Sequence, residues 1–548
     1  LRLAAARTRT QACEYAGPGI YAWAAPARVH AAPALIADQD RLRLLDAAAL
    51  PVLDWTRPPP TPAALIEIDP KTRAITLLRD SLGQRPLVYA RLAHGWLIGS
   101  SESVLLQHPG VSAALDADWL SAYFACIGLP AERSVYRSIR TVAPGTRVAL
   151  AADSVQITEF PLLPCSEHRR DGDWLAALRA ALERACQQSL ADARQPGISL
   201  SGGLDSSAVA ALCARTGATL QAVSYGSTRY ASLDERPWAR SLTEQLGVHL
   251  STLDADDYAP LSAQRQLSLD SPASSPYREL KSAVYARLQA TGVDVMLTGN
   301  FADHLCASPA QSFASAVQRR RPAQLLKHYA QWLRRRGPRA LWYERGWRAW
   351  LRGLPLPVLP PWLLPDTRDH AADLRGRALE SCAAWPRPLQ AAHVLGGYAA
   401  LDAAGELDFS ERWGIEVRHP FRDAELTRLA LSAPGDLSWR GGLGKWWQRE
   451  CLQGLLPDPW RLRDKGASMQ PLYLHGLQQA RARCLSLIEL GRPLWSRHVA
   501  ADTLIAQFDT ELHSDTGSLL VWLLCGLGLW LEAHPRRDEI LASTACPP

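Results

Sequence analysis

Short segments in which apolar and polar residues alternate dominate the first 165 positions, among them Ala64-Leu-Ile-Glu-Ile68, Ala74-Ile-Thr-Leu-Leu78 and Leu87-Val-Tyr-Ala90. Alternation puts every second side chain on one face, so these segments predict half-buried β-strands. From about Pro161 to Gly172 the chain turns polar, ending in His168-Arg-Arg-Asp-Gly172, and reads as a linker. After Trp174 the period changes. Long amphipathic stretches separate short apolar runs, the pattern of a parallel α/β sheet. The spacing predicts a helix over 174–191 and strands at Gly197-Ile-Ser-Leu200, Leu220-Gln-Ala-Val-Ser224 and Val293-Asp-Val-Met-Leu297. The apolar run Ser518–Leu531 is shorter than the roughly 20 residues that cross a bilayer. It predicts a buried C-terminal helix and no transmembrane segment.

Composition changes this picture little. The chain has 548 residues, 47% hydrophobic and 21% charged, which suits a folded multidomain protein. The pattern divides it into domains at 1–165 and 173–548. A net charge of +6 is compatible with an anionic substrate and does not call for nucleic acid. Eleven cysteines are scattered singly, without CxxC pairs, which fits reduced thiols and a cytoplasmic setting. One segment stands apart, an insertion at about 310–365. It carries Arg319-Arg-Arg321 and Arg334-Arg-Arg336 interleaved with Trp332, Trp342, Trp347 and Trp350, then a proline-rich stretch. It reads equally as exposed amphipathic helices with a wet arginine face and as a surface that grips substrate or partner.

The chemistry concentrates in Ser201-Gly-Gly-Leu-Asp-Ser-Ser207, between a predicted strand and a predicted helix. Two glycines allow a tight turn that brings backbone N–H groups against a phosphate. Ser206 and Ser207 open a helix whose N-terminus favours an anion. Asp205 adds a carboxylate suited to Mg²⁺ between phosphates. Thr298-Gly299 follows another apolar strand, and Asp303 is the natural second metal ligand facing Asp205.

The string Ser201–Ser207 resembles the pyrophosphatase motif of the asparagine synthetase superfamily. Further resemblances follow in order along the chain. Arg79–Tyr89, Ile98-Gly-Ser-Ser-Glu102 and Val142-Ala-Pro-Gly145 are similar to the glutaminase-type N-terminal domain. Thr298–Asp303, Ile415-Glu-Val-Arg-His-Pro-Phe-Arg-Asp423, Gly444-Lys445 with Arg449, and Arg463-Asp-Lys465 are similar to the synthetase domain. The resemblance implies an α/β protein: an Ntn-type αββα glutaminase-like domain followed by a parallel-sheet ATP-pyrophosphatase domain. It implies ATP and Mg²⁺, with Leu200, Ser201, Gly202, Gly203, Asp205, Ser206, Ser207, Tyr225, Thr298 and Gly299 at the nucleotide. Asp205 and Asp303 would sit at the metal. Lys445 and Lys465 would neutralise charge growing on pyrophosphate and the tetrahedral intermediate, with Lys465 the more catalytic.

Two departures refine the expectation. Glutamine-dependent members begin with a nucleophilic Cys; here position 1 is Leu and the first Cys is Cys13, so an inactive glutaminase fold is expected. Asn300 stands where asparagine synthetase has Glu and β-lactam synthetases have Tyr, and an amide is no general base. Glu406, Glu411 and Glu416 are then candidate bases, with Glu416 also a candidate structural residue and Glu406 nearest the position of the β-lactam enzymes' glutamate. Together with the insertion, these features resemble lasso-peptide cyclases, which adenylate a side-chain carboxylate that the peptide's own N-terminal amine attacks. The implied partners are a linear core peptide and a leader-binding protein, protease and exporter of the same pathway. The rivals are an asparagine synthetase, a β-lactam-type enzyme and a non-catalytic binding protein.

Overall fold

In the N-terminal part the alternating segments pair edge to edge into antiparallel sheets. The strands are β1 (Cys13–Gly17), β2 (Ile20–Ala24), β3 (Ala34–Asp38), β4 (Arg41–Ala47), β5 (Ala63–Ile68), β6 (Ile75–Arg79), β7 (Val88–Leu92), β8 (Gly95–Gly99), β9 (Ile139–Thr141), β10 (Thr146–Leu150) and β11 (Val155–Glu159). The computed structural model describes the backbone of β1 to β4, then residues 58–59, 61–69, 71–128, 131–166, 169–262, 268–307, isolated positions between 311 and 337, and 358–440, 442–463 and 468–543. β1 and β2 form a hairpin; a six-stranded sheet runs β11-β10-β6-β5-β4-β3, and a three-stranded sheet runs β8-β7-β9. Ile66, Leu77 and Val148 of the larger sheet share one core with Tyr89 and Ile98 of the smaller and with Val142, just past β9. β5 is buried at every position, Glu67 included, so the half-buried strand expected from its alternation is corrected here: both faces of this strand are covered. Two helices, α1 (Glu102–Leu105) and α2 (Ala117–Ala125), complete this part.

After the polar stretch, α3 (Asp171–Leu190) leads into β12 (Pro196–Ser199), α4 (Leu204–Ala214), β13 (Gln221–Gly226), α5 (Arg236–Leu246), β14 (His249–Asp254), α6 (Arg278–Gln289) and β15 (Val295–Leu297). Most of the insertion lies outside the described residues, Arg335 and Arg336 included. The chain resumes with α7 (Pro365–Ser381), α8 (Pro388–Leu395), α9 (Gly397–Trp413), β16 (Glu416–Arg418), α10 (Ala424–Ser432) and α11 (Trp446–Cys451). The sheet order is β14-β13-β12-β15-β16, every pair parallel. Buried Leu178 of α3, Val209 of α4 and Leu242 of α5 cover one face, while Val284 and Leu288 of α6 and Phe409 of α9 cover the other.

The run around Ser518–Leu531 forms the helix Asp515–Ala533. Its Leu520, Leu524, Leu527 and Leu531 are buried with Leu487 and Ile488 of the helix Arg481–Trp495 and with Trp119 and Phe124 of α2. Among the described residues no helix is long and apolar enough to cross a membrane.

Candidate functional site

The strand order reverses direction between β12 and β15, and a crevice opens at such a point beyond the C-terminal ends of the strands. Both glycine-bearing turns meet there. Gly202 has φ +75°, and a Cβ on it would stand 2.9 Å from the carbonyl oxygen of Glu235 and 3.0 Å from Cβ of Trp238. On Gly299 a Cβ would stand 2.5 Å from the Ser206 nitrogen and 2.8 Å from the Asp205 carbonyl carbon. The end of β15 therefore lies directly against the first turn of α4, and only a residue without Cβ permits it. The turn is braced internally: the Ser201 N–H donates to Ser206 Oγ (3.1 Å) and the Gly203 N–H to Ser201 Oγ (3.3 Å). Leu200 is fully buried and donates its N–H to the Val223 carbonyl at 2.8 Å. Ser207 Oγ is buried and meets no partner among the described residues.

Lys445 joins the two carboxylates expected to face each other. It caps α11 in the left-handed region, φ +55°. From there Nζ reaches Asp205 Oδ2 at 2.5 Å and Asp303 Oδ1 at 2.7 Å. Burial disfavours its charge, but the two carboxylates outweigh this and raise the ammonium above its ordinary range. Gln448, one turn further along α11, donates Nε2–H to Asp205 Oδ1 (2.9 Å). One cation thus already bridges both aspartates, and this is the test that a Mg²⁺ site must pass. Among the described residues no group of three or more His, Cys, Asp or Glu is placed to hold a metal. A metal held by Asp205 and Asp303 would complete its shell from phosphate oxygens and water, as Mg²⁺ characteristically does.

Lys465 lies outside the described residues. The residue that leads to it is firmly anchored: Arg463 pairs with Glu235, donates to the Gly202 carbonyl (3.3 Å) and stacks its guanidinium 4.5 Å from the Trp238 ring centroid. Arg449 of α11 donates to the carbonyls of Gly444 (2.7 Å) and Arg463 (2.9 Å), tying the Lys445 turn to this segment.

The other candidates are more dispersed. Tyr225 lies near the C-terminal end of β13 but packs with Val223, Tyr258 and Tyr285 on the α6 face, opposite α4. Glu406 is 4% exposed and pairs with Lys281 of α6. Burial raises its pKa, yet Lys281 prevails and keeps the carboxylate ionised, so Glu406 is no surface salt-bridge residue. Glu411 is exposed on α9. Glu416 sits opposite Val295, at the N-terminal end of the strand pair and away from the crevice. Its oxygens are taken by Arg85 of the N-terminal part (2.6 Å) and by Arg418 (2.9 Å). Asn300 is exposed, and Asp303 lies within the short turn Ala302–Leu305 rather than capping it.

Gln448, Lys281 and His419 escaped sequence reasoning. His419 Nδ1 and Thr298 Oγ1 are 2.6 Å apart, and burial pushes the imidazole down to about 4, so it is neutral. The available signals were positional: Gln448 lies three residues after Lys445, on the same helix face, and His419 lies inside the Ile415–Asp423 segment.

Antiparallel sheets followed by a parallel sheet with a glycine-lined switch point define a glutaminase-type domain joined to an ATP-pyrophosphatase-type α/β domain. Comparison with known proteins agrees. Residues 177–532 match the asparagine synthase family and residues 63–161 the glutamine amidotransferase domain. Asparagine synthetase [glutamine-hydrolyzing] 3 of Bacillus subtilis is 24% identical over 75% of this chain and 68% of its own. A putative asparagine synthetase [glutamine-hydrolyzing] of Mycobacterium tuberculosis is 27% identical over 43% of this chain, which spans only 38% of that protein. A solved NMN synthetase from Francisella tularensis shares 19% identity over 27% of this chain and 58% of its own; its TM-score, 0.18, is too low to support any argument. The chain belongs to the asparagine synthase family and is an ATP-dependent carbon–nitrogen ligase.

Proposed function

We propose that this ligase closes a macrolactam ring in a linear, leader-cleaved peptide of the lasso type. A side-chain carboxylate of the peptide attacks the α-phosphorus of ATP, and the bond to pyrophosphate breaks. The peptide's N-terminal amine then attacks the acyl carbon, AMP leaves, and the amine gives up a proton. The observation that carries the adenylating half is Lys445 Nζ lying between Asp205 and Asp303 beside the Ser201–Ser207 turn. In this reading Leu200, Ser201, Gly202, Gly203, Ser206, Ser207, Thr298 and Gly299 surround the nucleotide, and Tyr225, which packs on the α6 face, is left out of that set. Asp205 and Asp303 would hold Mg²⁺, which would supply neutralisation of charge on pyrophosphate. Lys445 and Lys465 supply ammonium groups where charge develops. Glu406 with Lys281 is the pair we assign to proton transfer, since Asn300 cannot serve. Glu416, held by two arginines, braces the two parts of the chain, whose boundary we place at 165–173.

The macrolactam reading is supported by Asn300 at the position of the family's acid; in that reading the attacking amine comes from the same molecule and needs no ammonia source. A second reading, asparagine formation, is favoured by the family match and by the names of the relatives. Incubation with ATP and leader-cleaved peptides, read as loss of one water by mass spectrometry, tests the first. Asparagine formed from aspartate and an ammonium salt tests the second.

A further inference from the structure

The six-stranded sheet of the N-terminal part ends on an open edge: among the described residues β11 pairs with β10 alone. Its ladder shows which backbone groups are already used. The Ala151 N–H donates to the Ser154 carbonyl (2.9 Å) and the Phe160 N–H to the Gly145 carbonyl (2.8 Å). Hydrogen-bonded pairs alternate along an antiparallel ladder, so between these two it is Gln156 and Thr158 that exchange bonds with β10. The N–H and C=O groups of Val155, Ile157 and Glu159 therefore point the other way, to the open edge.

The same strand leaves apolar surface uncovered. Val155 lies opposite Leu150 and Ile157 opposite Val148, and side chains directly opposite share a face of the sheet. Val148 and Leu150 belong to the core between the two sheets and are 2% and 1% exposed, whereas Val155 is 40% and Ile157 56% exposed. The core layer thus stops one strand short of the sheet's edge. Six large apolar side chains are exposed among the described residues, and three of them, Val155, Ile157 and Leu163, fall within nine positions, so this surface is a patch and not scatter. Open edges are commonly guarded by Lys, Pro or a bulge; β11 has neither residue, and its register with β10 is unbroken. A strand that covers this edge needs apolar residues at alternate positions, on the core side, and no acid opposite Glu159. β11 meets both conditions itself. Two copies run antiparallel about a two-fold axis through Ile157, perpendicular to the sheet, bring Ile157 opposite Ile157, Val155 opposite Glu159 and Gln156 opposite Thr158. No like charges face each other, and both apolar faces stay on the core side. The next outward-pointing position, Pro161, has no N–H and ends the ladder.

We propose that β11 is a dimerisation strand, which pairs antiparallel with β11 of a second copy of this chain and joins the two N-terminal sheets into one. Val155, Ile157 and Glu159 of each copy exchange backbone hydrogen bonds with the other, and Ile157 meets its own counterpart at the centre. Five paired residues make a small interface, of the kind that associates reversibly, so the mass in solution rises with concentration.

The test is sedimentation equilibrium on the full chain from about 1 to 200 µM, with wild type, Ile157→Lys and, as control, Val358→Lys, which places the same charge on an exposed apolar position elsewhere. The expected result is a mass that climbs from 60.1 kDa towards twice that value in wild type and in Val358→Lys. In Ile157→Lys two ammonium groups face each other at the axis, and the dissociation constant should rise at least about tenfold. The register is tested by Ile157→Cys in air-oxidised samples. Directly opposite hydrogen-bonded residues have Cα atoms about 5.5 Å apart, within disulfide reach. A disulfide-linked dimer should appear on non-reducing gels with Ile157→Cys and not with wild type or Val358→Cys. A wild-type chain that stays monomeric over the whole range, a dimer that survives Ile157→Lys or is lost equally in Val358→Lys, or the absence of the Ile157→Cys crosslink would each overturn the proposal. It stands or falls separately from the macrolactam reading, since neither ATP nor peptide is present.

Discussion

Replacing Gly299 with Ala probes the contact on which the nucleotide crevice depends. The added Cβ would stand 2.5 Å from the Ser206 nitrogen, whereas ordinary contact begins at 3.4 Å. Its obstacles are backbone atoms of α4 and Cβ of Asp205, not the far end of a flexible side chain, so β15 and α4 must separate by about 1 Å. Overpacking of this kind costs about 1–3 kcal/mol of stability. The functional cost should be larger, because a displacement of about 1 Å in a positioned site lowers rate by about a hundredfold. Asp205 lies in α4, and Asp303 lies in the turn that follows β15, so the two carboxylates move apart with these elements. Gly299→Ala should therefore fold, melt at a lower temperature, and release pyrophosphate about a hundredfold more slowly than wild type. Gly376→Ala is the matched control: it lies within α7 with nothing within 4 Å of its Cβ, and alanine is the better helix former by about 1 kcal/mol. Pyrophosphate release by Gly299→Ala at near the wild-type rate, with Gly376→Ala unchanged, would show that this close approach is not needed for turnover.

Asp205→Asn and Asp303→Asn should each abolish pyrophosphate release at ordinary Mg²⁺, and near-normal turnover in either would remove the paired-carboxylate site. Lys465→Ala should lower kcat about a hundredfold or more while ATP affinity, measured by calorimetry, falls much less; a parallel loss of affinity with kcat intact would make this lysine a ground-state binder. Glu416 lies below its ordinary pKa: burial raises it, but Arg85 and Arg418 more than compensate. Its stabilising contribution is thus complete above the unfolded value of about 4.3 and is lost as pH falls through the folded value. Melting temperatures of Glu416→Gln and wild type should therefore diverge most above about pH 5 and converge in stronger acid. A constant difference from neutral to acid pH would exclude an ionised Glu416 as the brace.

The parallel sheet and its two turns were legible because local chemistry dictates them. Strands 196–199, 221–226 and 295–297 fall on the apolar runs read from the sequence, since a buried parallel strand leaves no polar alternation. The burial of the C-terminal helix was legible from its length and apolarity. What escaped depends on long-range packing. Nothing near Glu406 announces Lys281, which approaches from α6, and nothing near Glu416 announces Arg85, more than three hundred positions away. The His419–Thr298 contact likewise arises because β16 lies beside β15, an adjacency that no local pattern encodes.

The central claim is that this chain activates a carboxylate by adenylation. The most direct measurement uses a leader-cleaved peptide whose side-chain carboxylate carries heavy oxygen. Adenylation predicts that one labelled oxygen appears in AMP, in step with pyrophosphate release and loss of one water from the peptide. Label recovered in inorganic phosphate, with ADP as the nucleotide product, would contradict the account.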